Sequence, residues 1–435
     1  MIEFQRSRAA NRDTWRKSGL VITVVCLTAA LTACGGGDDD ETADPGATDT
    51  GTSAPAAKGD GELVIGTLLP QTGSLAFLGP PEFAGVDLAI KDINAEGGVN
   101  GKEVRKVDSD SGDTSTDTAS QSVDRLLSNN VDAIVGAASS SVTLSVIDKI
   151  VGDGVLQISP ANTSDELTNY DDKGLYFRTA PPDVLQGRVL GDTILADGNT
   201  TLGILALQDS YGTGLAENTT KSFEGGGGEV VETVVYDPKA ASFATEVGKV
   251  KAADPDAIAV IAFDETKKII PEMVKQGVGP KDKKIYFVDG NLADYSKDFG
   301  KGTLTGVRGT LPGVVAGEEF RTRLATVQKG LTEYAYAPEA YDATVLVALA
   351  ATAAEDDAGQ SIASQMQAVS AGGEKCTSYK DCLALLKDGK DIDYDGVSGP
   401  IEFNDKGDPS EATIGIYEYG ADNTYKYIDA KSGKI

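Results

Sequence analysis

The 435-residue chain carries 39 basic and 67 acidic side chains, four cysteines and no histidine, for a net charge of −28. Without an imidazole, Ser-His-Asp and Cys-His catalysis, HExxH zinc sites and histidine-bearing zinc deaminases are excluded, and only carboxylate-pair chemistry stays formally open. The acidity repels phosphate backbones and anionic headgroups, which argues against nucleic acid as a partner.

The chain opens with a basic segment (Arg6, Arg8, Arg12, Arg16, Lys17) and an apolar run from Leu20 to Leu31. That run is about 12 residues, short of the roughly 20 that a spanning helix needs, so an uncleaved anchor is the weaker reading. Leu31-Thr32-Ala33-Cys34 follows and resembles a bacterial lipobox, with n-region, apolar core and small residues in the required order. The resemblance implies that residues 1–33 form a lipoprotein signal peptide and that lipid on Cys34 attaches the chain to the outer face of the membrane. Loss of residues 1–33 removes five basic and two acidic side chains, which takes the net charge to −31. After Cys34, residues 35–61 hold only Gly, Asp, Glu, Thr, Ala, Pro, Ser and Lys, so segment 34–61 is expected to be a flexible tether. Cys26 leaves with the signal; Cys376 and Cys382 are left in an oxidising location, and they are expected to pair.

From Glu62 onward short β-branched runs alternate with longer amphipathic stretches, the signature of βαβ units and parallel sheets. The remaining length suits two domain-sized cores. The predicted strands are 63–68, 133–136, 155–158, 202–207, 257–263 and 284–288. A helix through Phe83, Val86, Ile90 and Ile93 is expected to stop at Gly97-Gly98. The Gly225–Gly228 run lacks a Walker lysine and precedes a strand-like segment, so it reads as a turn.

Ligands of open parallel sheets bind beyond the carboxyl ends of the strands, so those ends matter most. Ser139-Ser140-Ser141 follows 133–136: hydroxyls beside free N–H groups either receive a carboxylate or merely cap a helix. After 155–158 comes Ser159-Pro160-Ala161-Asn162-Thr163, an ordinary turn or a loop that presents the Ala161 carbonyl and the Thr163 hydroxyl. Tyr211 follows 202–207 and is as readily a packing residue as a ligand contact. Asp264 and Asp289 end the later strands, either as acceptors for an ammonium group or as helix caps and surface charges. Donors on the early loops and acceptors on the late ones together fit a zwitterion.

The chain is here similar to the type I solute-binding proteins, specifically the leucine/isoleucine/valine-binding family that feeds ABC transporters. The similarity is carried by 65–73 (Ile-Gly-Thr-Leu-Leu-Pro-Gln-Thr-Gly), 93–101, 158–163, 177–180, 211–216 and 399–401, in family order. It implies that Ser140 and Thr163 hold a ligand carboxylate, that the Ala161 carbonyl and Asp289 meet its ammonium, and that Tyr211 closes over it beside Phe263. Leu78, preceded by Phe77, stands where the family places a tyrosine, which makes side-chain preference the point of departure. The implied fold is α/β: two Rossmann-like lobes with parallel sheets, 62–182 plus 313–396 and 183–312 plus 397–435, joined by three strands near 178–183, 310–313 and 397–402. The implied role is non-enzymatic capture of an amino acid, branched-chain first, by hinge closure and delivery to a membrane permease, with no cofactor and no metal. Binding of another small amide or amino acid, a ligand-sensing receptor of the same fold, and a carboxylate enzyme using Asp264 and Asp289 are the alternatives.

Overall fold

The structure is a computed structural model that describes residues 58–435; the lipobox, Cys34 and most of the expected tether lie outside the described residues. Its first sheet contains β1 (Val64–Leu69), β2 (Arg105–Asp110), β3 (Ala133–Gly136), β4 (Leu156–Ser159) and β5 (Tyr176–Arg178). They are all parallel, in the order β2-β1-β3-β4-β5. A second sheet takes β6 (Thr201–Leu207), β7 (Glu229–Tyr236), β8 (Ala257–Ile261), β9 (Lys284–Phe287) and β10 (Arg308–Pro312), again parallel. A small sheet of β11 (Glu374–Cys376), β12 (Ile392–Gly396) and β13 (Gly399–Pro400) comes next. Antiparallel β14 (Glu411–Tyr419) and β15 (Tyr425–Lys434) then extend the second sheet beyond β10.

The central strands are legible because helices cover both faces, which leaves mostly apolar, fully buried runs such as Val64–Leu69, broken only by Gly66 and Thr67, and Ala257–Ile261. The helices around the first sheet are α1 (Gly79–Ala95), α2 (Thr118–Ser128) and α3 (Ser140–Gly152); those around the second are α4 (Asp183–Ala196), α5 (Ser210–Gly225), α6 (Ala244–Ala253) and α7 (Thr266–Gln276). The chain then returns to the first lobe as α8 (Glu318–Leu324), α9 (Ala337–Ala354), α10 (Gly359–Ser370) and α11 (Tyr379–Lys387). α1 stops where expected, with Gly97 and Gly98 at φ of +96° and +71°. Gly136 at the end of β3 sits at φ +123°, and a Cβ there would lie 2.1 Å from the Leu68 carbonyl oxygen, so only glycine turns the chain toward the following serines.

Two expectations change. β8 ends at Ile261, which puts Phe263 on the following loop, not in the strand. The third passage between lobes, expected at 397–402, comes instead between β13 and β14: Ile401 and Phe403 pack in the first-lobe core, and Asp408 is tied to Arg178 at the end of β5. Arg178 and Asp408 are both essentially buried, joined Nε to Oδ1 at 2.6 Å, and the guanidinium also donates to Thr168 Oγ1 and the Ser164 carbonyl. Cys376 and Cys382 form a disulfide between β11 and the first turn of α11. Among the described residues no helix is long and apolar enough to cross a membrane, and no cluster of three or more His, Cys, Asp or Glu suits a metal ion.

Candidate functional site

The three serines after β3 divide their work. Ser139 caps α3, its side chain accepting from Val142 N. Ser140 Oγ accepts from the N–H groups of Thr163 and Ser164, both at 3.2 Å. A hydroxyl has two acceptor positions and one hydrogen, so Ser140 is left with a free O–H to donate, the form that suits an anion. Ser141 Oγ reaches the other lobe, within 2.9 Å of Ser210 Oγ and 3.2 Å of Asp209 Oδ2. The loop after β4 is fixed by Ser159, whose Oγ accepts from Ala161 N and Asn162 N and donates to the Ala137 carbonyl. Ala161 and Thr163 are thereby held beside Ser140.

On the second lobe, Asp209 caps α5 and places Tyr211 in its first turn. Tyr211 OH donates to Asp289 Oδ1 at 2.7 Å, Gln186 Nε2 donates to the same oxygen at 2.8 Å, and Tyr336 OH donates to Oδ2 at 2.7 Å. Phe263 stacks on Tyr211 with ring centroids 5.4 Å apart and planes 11° from parallel. All seven residues expected from sequence, Leu78, Ser140, Ala161, Thr163, Tyr211, Phe263 and Asp289, line one cavity between the lobes. The cavity is tight, about 10 Å³, room for roughly one water.

The electrostatics of this cavity are one-sided. Burial pushes the Asp289 carboxyl above its ordinary range, against the pull of its three hydrogen bonds. Asp183, buried at the start of α4, is pushed up further by burial, and the charge of Asp289 adds to the effect. No lysine or arginine lines the cavity. Asp264 is not part of it: its side chain is exposed and paired with Lys267 at 2.6 Å, the surface-charge alternative. Sequence reasoning missed Tyr336 and Gln186. Tyr336 precedes a helix, not a strand end, at φ +59°, and the available signal was Ala337-Pro338 at a helix start behind an aromatic residue.

Residues 62–407 match the family described as periplasmic binding protein. The chain belongs to that family. This binding protein is 27% identical to Leu/Ile/Val-binding protein homolog 1 of Brucella abortus over 380 residues, covering 84% of the present chain and 93% of the relative. Its fold is that of the branched-chain amino acid transporter substrate-binding protein LivJ from Streptococcus pneumoniae in complex with isoleucine (TM-score 0.68, 24% identity, 86% and 100% of the two chains). It is equally that of an ABC transporter solute-binding protein from R. palustris in complex with benzoate (TM-score 0.69, 18% identity, 86% and 97%). The relatives are substrate-binding proteins, not enzymes, and the two-lobed α/β architecture expected from sequence is the family's.

Proposed function

We propose that the interlobe cavity captures an α-amino acid, branched aliphatic side chains first, and that the protein is the lipid-anchored extracytoplasmic receptor of an ABC importer, passing that amino acid to the permease. The observation that carries the reading is Asp289: a buried carboxyl with three neutral donors, no cation in the cavity, and the free O–H of Ser140 opposite. A ligand ammonium supplies the missing positive charge, and its carboxylate meets Ser140 and Thr163. An aromatic acid of the benzoate kind would leave Asp289 uncompensated. Leu75, Leu78 and Phe263 offer apolar walls for an aliphatic side chain, in keeping with the Leu/Ile/Val-binding relative and the isoleucine-bound fold neighbour. The test is calorimetric titration of the full chain, unfolded and refolded to strip carried-over ligand, with leucine, isoleucine, valine and benzoate. Micromolar or tighter binding of one of the three amino acids, with benzoate silent, is expected; binding of benzoate alone would overturn the reading.

A further inference from the structure

A second, larger chamber lies beside the hinge. It is partly open to solvent, has a volume of about 350 Å³, within the range of small-molecule pockets, and is separate from the amino-acid cavity, with Tyr336 in the wall of both. One wall comes from the passage after β10 and from α8, the other from β14 and β15, with Tyr417 and Tyr425 presenting aromatic surface.

Among the charged groups in this wall Glu333 accepts from Tyr425, whereas Arg321, Lys426 and Glu339 lack a partner among the described residues. The Arg321 guanidinium lies over the Tyr334 ring, 4.7 Å from its centroid, and among the described residues no carboxylate is within ion-pair distance of it. Glu339, 2% exposed at the start of α9, leaves Oε1 without a hydrogen bond. Burial holds its carboxyl well above the ordinary range. An unpaired cation and an orphaned acid lining one chamber, and not joined to each other, are what a bridging molecule would satisfy: an anionic end at Arg321, an N–H donor at Glu339 and a small body against the tyrosines.

We propose that the hinge chamber is a second binding site for a small zwitterion. Its occupant touches both lobes, so it binds the closed form in preference to the open one, and by linkage it tightens ligand binding in the first cavity. The proposal does not depend on which amino acid occupies that first cavity.

The experiment is equilibrium dialysis of the full chain against radiolabelled glycine, the smallest zwitterion, in a Ser140→Ala background that weakens the first cavity. Saturable glycine binding is expected there, weakened tenfold or more by adding Arg321→Gln and likewise by adding Glu339→Gln. Arg321 is exposed, so its variant keeps the fold even if the buried Glu339→Gln does not, and circular dichroism checks both. Absence of glycine binding in the Ser140→Ala protein, or binding there that Arg321→Gln leaves unchanged, would overturn the proposal.

Discussion

Asp289 is held by two tyrosines and a glutamine, an arrangement that keeps a buried carboxyl in place without neutralising it. Removing that acid, or the hydroxyl opposite, leaves a charged ligand group underpaired at a cost of about 1–3 kcal/mol. Asp289→Ala and Ser140→Ala are therefore each expected to weaken amino-acid binding roughly 5- to 150-fold in calorimetric titration; near-wild-type affinity in both would move the site elsewhere. The pH dependence has a definite sign. An ammonium needs the ionised carboxylate, so affinity falls as pH drops through the raised value of the free site. Tyr336→Phe removes one donor to the ionised form, pushes Asp289 up further, and should shift this fall-off to higher pH. A pH profile of affinity identical to wild type would contradict a role for Tyr336 in tuning the acid.

Among the elements, the β11–α11 corner is the easiest to test. Its disulfide closes a seven-residue loop from Cys376 to Cys382, worth about 2 kcal/mol in the chain-entropy account. The Cys376→Ser/Cys382→Ser protein should lose about that much in urea unfolding and keep its ligand affinity, because the corner lies outside the interlobe cavity. How far the elements were legible follows from how they are covered. β1, β3, β4, β6, β8 and β9 emerge from sequence to within two residues because burial on both faces favours mostly Val, Ile, Leu and Ala, with the few polar residues inside them, such as Thr67 and Gln157, each donating a hydrogen bond. β2 lies at a sheet edge with half its face exposed and reads Arg-Lys-Val-Asp-Ser-Asp, which hides it. α9 is buried on all sides from Ala337 to Ala351, so it has no polar face and no helical periodicity to betray it. The site followed the same logic. Five of its seven residues follow predicted strands, whereas Tyr336 arrives in the passage before α9 and Gln186 in the first turn of α4, where no strand end points to them.

The whole molecule carries many buried acids, and its stability should respond to pH accordingly. Burial raises Asp132 to about 7 and Asp209 and Asp342 to about 6. A carboxyl with a higher pKa folded than unfolded makes the folded state bind more protons between the two values, so stability falls as pH rises through that interval. The interval here runs from the ordinary 3.8 to about 7, and the high net negative charge acts in the same direction. The melting temperature is expected to be higher at pH 5 than at pH 7.5 by scanning calorimetry; an equal or lower value at pH 5 would show that these acids are not buried as described. Ligand-driven closure belongs to this scale too: the stripped protein should lose radius of gyration in solution scattering when saturated with its amino acid, and an unchanged radius would rule out hinge motion. The buried pair of Arg178 and Asp408 ties the end of β5 to the segment before β14, 230 positions away. Losing either partner alone strands a charge at a cost of about 3–5 kcal/mol, a large share of what a fold has to spare. Neither position is thus free to drift by itself. The two should be inherited as a unit, so that a lineage without the arginine also lacks the aspartate.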